Sequence, residues 1–222
     1  MKHIKPYRIF ESASPNFPTT KEEVIEVCEQ YRIKNYTIND DLSIDVNGSV
    51  SLNKKDLKYL PLRFNYVGGF FDCSNNKLKT LEGTPQTVNG RFDCGRNELK
   101  TLEGSPQTVG GGFYCYGNEL VSLEGCPQTV NGRFDCYNNY LTDLEHFPEV
   151  GDGINIEENK VNLLVYTFIE NADSFMIEDF NDYEIVRNRD TVMLDRLQTF
   201  IKDNNLEMPD LEKIKKHYKI IE

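Results

Sequence analysis

The chain has 222 residues, 38% of them hydrophobic, which is enough for one continuous core and a small appended unit but for no more than one or two domains. Acidic residues outnumber basic ones, 36 to 25, and the formal net charge of -11 opposes a phosphate backbone, which argues against general nucleic-acid binding. The longest apolar stretch, Val161 to Ile169, is interrupted by Asn162 and Tyr166 and is too short to span a bilayer, so no membrane segment is expected.

The opening, Met1 to Glu11, is basic but has neither a long apolar run nor a small-residue cleavage site, so it reads as a disordered tail rather than a secretory signal. A chain kept in a reducing cytoplasm holds its six cysteines as free thiols, and none of them forms a Cys-x-x-Cys pair of the metal or redox type. Thr20, with Glu23 three residues on and apolar residues at helical spacing behind it, predicts a short helix. Tyr36 to Gly48 then alternates like a strand and ends in the turn signal Asn47-Gly48 before Val50-Ser51-Leu52, which predicts a capping hairpin.

From Gly48 onward the chain repeats itself. Phe71, Phe92, Phe113 and Phe134 share one spacing with Cys73, Cys94, Cys115 and Cys136, with Asn76, Asn97, Asn118 and Asn139, and with two leucine columns, Leu78 to Leu141 and Leu81 to Leu144. A glycine column (Gly48, Gly69, Gly90, Gly111, Gly132, Gly153) and a proline column (Pro85, Pro106, Pro127, Pro148) run in the same register. Weaker copies extend it on both sides, through Val50, Leu52, Leu57 and Leu60 before and Ile154, Ile156, Asn159, Val161 and Leu164 after a one-residue deletion. A fixed period of this length means stacked units, about six turns over residues 48–164. Phe-x-Cys alternates with period two, so each turn is expected to add one short strand to a parallel sheet, with the Asn column pairing backbone groups where the chain leaves the strand.

The segment Phe92-Asp93-Cys94-Gly95-Arg96-Asn97-Glu98-Leu99 resembles the core of a leucine-rich repeat, with Phe and Cys in its apolar strand positions. The Pro-x-x-Val lead-in is similar to the short bacterial subtype of secreted effectors, although Gly90 makes the approach to the strand one residue longer and predicts a bulge or close backbone contact. The basic-aromatic leader and the repeat unit also resemble proteins of large tailed bacteriophages. The resemblance implies an α/β leucine-rich-repeat solenoid that binds a host or viral protein through its concave sheet, in the host cytoplasm. Effectors of that subtype can carry a cysteine-dependent ubiquitin-ligase domain after the repeats, but no cysteine comes after Cys136, so that activity is excluded here.

Four cysteines in a column invite a metal reading, but tetrahedral zinc needs ligands converging on one point, whereas a stack spaces them along its axis. Buried thiols acting as small hydrophobes fit better, so neither metal nor cofactor is expected. The variable outward positions carry the candidate partner-binding residues: Asp72, Arg91, Asp93, Arg96, Tyr114, Tyr116, Arg133, Asp135 and Tyr137. Tyr and Arg are enriched at interface hot spots, and Asp beside Arg can set register with a protein partner; the competing reading is a row of weak surface salt bridges that keep the sheet soluble.

Beyond the repeats, apolar residues take helical spacing: Leu163 to Ile169, Phe175 to Phe180, Val192 to Ile201, and Leu211 to Ile221 behind Pro209. Three or four helices are expected as a C-terminal cap, with oligomerisation through them as a further expectation. The division is then 1–47, a tail, helix and capping strand; 48–164, the solenoid; and 165–222, the helical cap. His3, His146 and His217 are scattered, and no phosphate loop or nucleophile elbow appears, so no catalytic residue is assigned. A binding module is the leading expectation, with a structural or virion-associated assembly protein and an enzyme of the C-terminal region as its rivals.

Overall fold

A computed structural model describes residues 15–141, 144–159, 180, 183–187, 191–216 and 218–222. Thr20 caps α1 (Lys21–Tyr31) by accepting a hydrogen bond from the Glu23 N–H at 3.2 Å, and the Glu23 carboxylate accepts from the Thr19 N–H at 2.8 Å. The expected box is present with its return bond displaced by one residue. Val24 and Cys28, one turn apart, are the buried residues of this helix.

The capping hairpin forms from β1 (Tyr36–Ile38) and β2 (Ile44–Val46), antiparallel with Tyr36 opposite Val46. Its reversal is not at Asn47-Gly48 but at Asn39–Ser43, where Asp41 Oδ1 accepts from the Ser43 N–H at 3.0 Å and from its hydroxyl at 2.6 Å. A carboxylate that satisfies the backbone two residues on makes this the better turn. Asn47-Gly48 serves instead as the first of a series of bends within the sheet.

Each coil contributes two short parallel strands where one was expected. The first series comprises β2, β4 (Phe64–Val67), β6 (Thr87–Val88), β8 (Thr108–Val109) and the start of β10 (Thr129–Asp135). It aligns Val46, Val67, Val88, Val109 and Val130. The second comprises β3 (Val50–Ser51), β5 (Phe71–Asp72), β7 (Phe92–Asp93), β9 (Phe113–Tyr114) and the end of β10, aligning Val50, Phe71, Phe92, Phe113 and Phe134. The final strand, β11 (Glu149–Asn155), pairs with β10 through both series. The result is a parallel β-solenoid of about five coils, one fewer than expected.

The glycine column marks the bend between the two series. Gly90 N–H donates to Gly69 O at 2.9 Å and Gly111 N–H to Gly90 O at 3.0 Å, so consecutive coils touch backbone to backbone here. A Cβ on Gly111 would stand 2.9 Å from both Arg91 N and Gly90 C, which is the close approach anticipated from sequence. Gly153 drops out of this column. Val130 faces Val150 and Phe134 faces Ile154, so the one-residue deletion falls between Pro148 and Val150 and shifts Gly153 by one position.

Inside the coils identical side chains stack. Phe71, Phe92, Phe113 and Phe134 form a file with centroids 5.2 to 5.8 Å apart, closed edge-on by Phe64 at 5.0 Å and by Phe147 at 5.3 Å. Offset and edge-to-face contacts of this kind add to the burial of the rings themselves. Cys73, Cys94, Cys115 and Cys136 are buried beside them as free thiols. The asparagine column is bonded at every rung. Asn97 donates to Cys73 O at 3.1 Å and Cys94 O at 3.0 Å while its Oδ1 accepts from the Leu78 N–H at 3.0 Å, and Asn118, Asn139 and Asn159 repeat the pattern. Each amide thus ties one coil to the next, as the sequence pattern required.

The described C-terminal residues include a small sheet where helices were expected. Val192 and Met193 belong to β13 (Thr191–Met193), which pairs with β12 (Val186–Arg187) and with β14 (Lys219–Ile221), so Ile221 is also a strand residue. Among the described residues, Leu194–Asp203, α2, keeps the expected helical run, burying Leu197, Phe200 and Ile201. Beyond Pro209, α3 (Leu211–Ile214) is a single turn capped by Asp210. β-branched residues at both ends of these runs favour a small sheet over longer helices. The expected helices over 162–179 and the boundary at 164/165 lie outside the described residues. No helix among the described residues is long and apolar enough to cross a membrane.

Candidate functional site

Alternation along each strand sends Phe71 and Cys73 inward and their neighbours outward, and the register stacks those neighbours into columns across the outer face. One column reads Phe70, Arg91, Gly112, Arg133; the next Asp72, Asp93, Tyr114, Asp135; the next Ser74, Gly95, Tyr116, Tyr137, with Arg96 beside it. The fold therefore brings all the candidate residues onto one strip. Arg91, Arg96 and Arg133 are exposed, whereas Asp72, Asp93, Asp135 and the three tyrosines are half-buried.

The aspartates have a structural duty that their charge did not reveal. Asp72 Oδ1 accepts from the Ser74 N–H at 3.0 Å, Asp93 Oδ1 from the Gly95 N–H at 3.0 Å, and Asp135 Oδ1 from the Tyr137 N–H at 3.2 Å. In the last rung Asn155 does the same for the Glu157 N–H at 3.3 Å. Each closes the backbone where the chain leaves its strand, just before a left-handed residue at Asn75, Arg96, Asn138 or Glu158. The signal was present in the sequence as a short polar side chain two residues before a turn.

Burial pushes the Asp93 carboxyl up to about 6 from its ordinary 3.8. The Gly95 N–H opposes the shift, Asp72 reinforces it, Arg91 opposes it and Asp135 reinforces it. The fold therefore favours the protonated form, so Asp93 stabilises the protein below about pH 4 and that contribution disappears as pH rises through 6. Asn at this position keeps an oxygen for the Gly95 N–H, as Asn155 shows for Glu157, and carries no charge. D93N is expected to raise stability at pH 7 by roughly 1–2 kcal/mol, allowing for the group's partial exposure, and to have little effect at pH 4; urea unfolding at the two pH values checks this.

The two tyrosines of the middle rung lie flat on the sheet. A Cβ on Gly112 would meet the Tyr114 ring at 2.7 Å, and one on Gly95 would meet the Tyr116 ring at 2.6 Å, so each ring occupies space that only a glycine leaves open. Burial, with the Asp93 charge next in weight, raises the Tyr116 phenol above its usual range. Arg96 stands over Tyr116 with 5.9 Å to the ring centroid, and Arg91 over Phe70 with 5.2 Å. Arg133 Nε lies 3.7 Å from Asp135, with the arginine side chain 46% exposed and the aspartate 17%. Arg96 takes a left-handed backbone with φ of 53°, at a position held by Lys54, Asn75, Gly117, Asn138 and Glu158 in the other rungs. A long side chain there costs backbone energy that asparagine or glycine would not.

Burial holds Cys73, Cys94, Cys115, Cys126 and Cys136 well above the usual thiol range and pushes Cys28 up to about 11. No protein-family model, curated protein or solved structure matches the chain.

Proposed function

We propose that this chain is a non-catalytic protein-interaction module that engages its partner through the outer face of the repeats. One observation carries the reading: inward columns repeat from rung to rung, while the outward columns differ and their departures gather in the rung from Thr108 to Tyr116. There Gly110, Gly112 and Tyr114 stand where the rungs on either side hold Asn89, Arg91 and Asp93 and Asn131, Arg133 and Asp135, while Tyr116 stands where the preceding rung holds Gly95 and the next Tyr137. The preceding rung builds the same coil with Asp93 and Gly95, so the fold does not require the tyrosines. Flat aromatic rings beside exposed arginines are the side chains that dominate binding energy in protein interfaces.

The protonated thiols fit a module without cysteine chemistry. On the resemblance of its repeat and leader, the reading extends to a leucine-rich-repeat protein of bacteriophage origin, acting on a host or viral protein in the host cytoplasm. The test compares the immobilised full-length protein with its R91E/R133E/Y114A/Y116A variant in extracts of the producing cell. A protein retained by the first and lost from the second, at unchanged circular dichroism, is the expected result. Identical retention by both overturns the reading, and incorporation of the two alike into virus particles would favour an assembly role.

A further inference from the structure

The bends of the solenoid carry one tripeptide three times: Val46-Asn47-Gly48, Val88-Asn89-Gly90 and Val130-Asn131-Gly132. Asparagine before glycine is open to attack by its own backbone, because glycine puts no side chain in the path of its nitrogen. All three asparagines are exposed and share the same neighbours on either side, so a difference in their reactivity must come from the fold. That difference lies in the glycine nitrogen. Gly90 N–H donates to Gly69 O at 2.9 Å and Gly132 N–H to Gly111 O at 3.1 Å, so each is held by the coil before it. Gly69 and Gly111 lean on their predecessors in the same way, at 2.8 and 3.0 Å. Gly48 begins the column. Its carbonyl accepts from Gly69, but no coil precedes it among the described residues, and its own N–H has no acceptor among them. Asn89 is further restrained by donating its side-chain amide to the Tyr66 hydroxyl at 2.8 Å, whereas the Asn47 amide makes no hydrogen bond among the described residues.

We propose that Asn47 is a site of spontaneous deamidation, selected from three identical tripeptides by the open end of the glycine ladder. The Gly48 nitrogen gives up its proton and bonds to Asn47 Cγ; the Cγ–Nδ2 bond breaks, and Nδ2 leaves as ammonia with that proton, closing a succinimide ring. Water then opens the ring at either carbonyl. Opening at Cγ leaves aspartate in a normal backbone, and opening at the backbone carbonyl leaves isoaspartate, whose chain runs through the former side chain and is longer by a carbon. At Gly90 and Gly132 the nitrogen must first leave its acceptor and open the contact between two coils. Asn47 joins the capping hairpin to the first coil: its N–H donates to Asn35 O at 2.8 Å, and the next carbonyl, that of Gly48, accepts from Gly69 at 2.8 Å. A longer backbone between these two bonds displaces one of them, so isoaspartate here uncouples the cap and leaves the stack behind it in register.

The full-length protein is aged in mildly alkaline buffer, where a backbone amide loses its proton more readily, with a parallel sample in urea. Mass spectrometry of proteolytic peptides reads the conversion at each asparagine. In the folded protein Asn47 should deamidate about tenfold or more faster than Asn89 and Asn131, and in urea the three rates should converge. Gly48→Ala supplies a second arm: a Cβ there meets nothing within 4 Å, so the fold accommodates it. The added methyl group beside the nitrogen should slow Asn47 severalfold and leave the other two rates unchanged. Native-state hydrogen exchange should find the Gly48 amide exchanging freely while those of Gly90 and Gly132 are protected. Equal rates at the three asparagines of the folded protein, an unchanged Asn47 rate in Gly48→Ala, or a Gly48 amide as protected as that of Gly90 would each overturn the proposal.

Discussion

Asn118→Ala should destabilise the protein by about 3–5 kcal/mol, the loss expected when several buried polar groups lose their partners together. Asn118 Nδ2 donates to Cys94 O at 3.1 Å and Cys115 O at 2.9 Å, and its Oδ1 accepts from the N–H groups of Asn97 and Leu99 at 3.2 Å each. Alanine would leave the Asn97 and Leu99 N–H groups unbonded inside the stack, whereas Cys94 O keeps the Asn97 amide and Cys115 O the Asn139 amide. The two N–H groups find no substitute acceptor in the neighbouring amides, whose oxygens already accept from Leu78 and Leu120. Glu119→Ala, one residue on at an exposed site, should stay within about 0.5 kcal/mol. Denaturant unfolding of both variants measures the contrast, and a cost near that of Glu119→Ala would show that the ladder is incidental.

Phe113→Ala is expected to cost a similar 3–5 kcal/mol by a different route. Its ring sits 5.2 Å from that of Phe92 and 5.8 Å from that of Phe134, so truncation opens a void in the middle of the file. The side chains above and below are fixed by their own rungs and cannot close it. Phe113→Leu should recover most of the loss, because it refills volume without the aromatic contacts. Because each coil touches only its neighbours, a gap at Phe113 also divides the stack into two weaker halves. A broadened thermal transition for Phe113→Ala, absent for Phe113→Leu, is the accompanying sign.

The inward half of this architecture was legible because burial and register repeat in the sequence itself: once Phe, Cys, Asn and Leu share a period, Phe92 must stack on Phe113. The second strand of each coil was not legible in the same way. Thr87-Val88 and Thr108-Val109 are two residues long with one inward side chain, too short for alternation to show, and the backbone contact at Gly90 reveals that the sheet continues around the bend. The C-terminal segments misled for a related reason, since runs such as Val192-Met193-Leu194 carry apolar residues at consecutive positions that suit a short strand and the start of a helix equally well.

On the candidate strip, residue positions were readable and side-chain roles were not. Alternation identifies Asp93, Tyr114 and Arg133 as outward, but an outward aspartate can point to solvent or fold back on its own backbone, and that choice is made by a turn two residues later. The glycines beneath Tyr114 and Tyr116 were similarly opaque. Gly95 and Gly112 look like ordinary departures from the repeat until the rings are seen to lie in the space they leave.

The asparagine ladder has a direction. Each amide braces the coil that precedes it, across separations of 24 residues to a cysteine carbonyl and 19 to a leucine N–H, from Asn97 through Asn139. Because equivalent atoms recur at that interval, excising one full period would rejoin matching ends and leave every remaining brace intact. The chain is therefore a ruler that can be lengthened or shortened by whole units, and such an edit made between Arg91 and Arg133 would change the distance between them while leaving the way each coil is held unaltered.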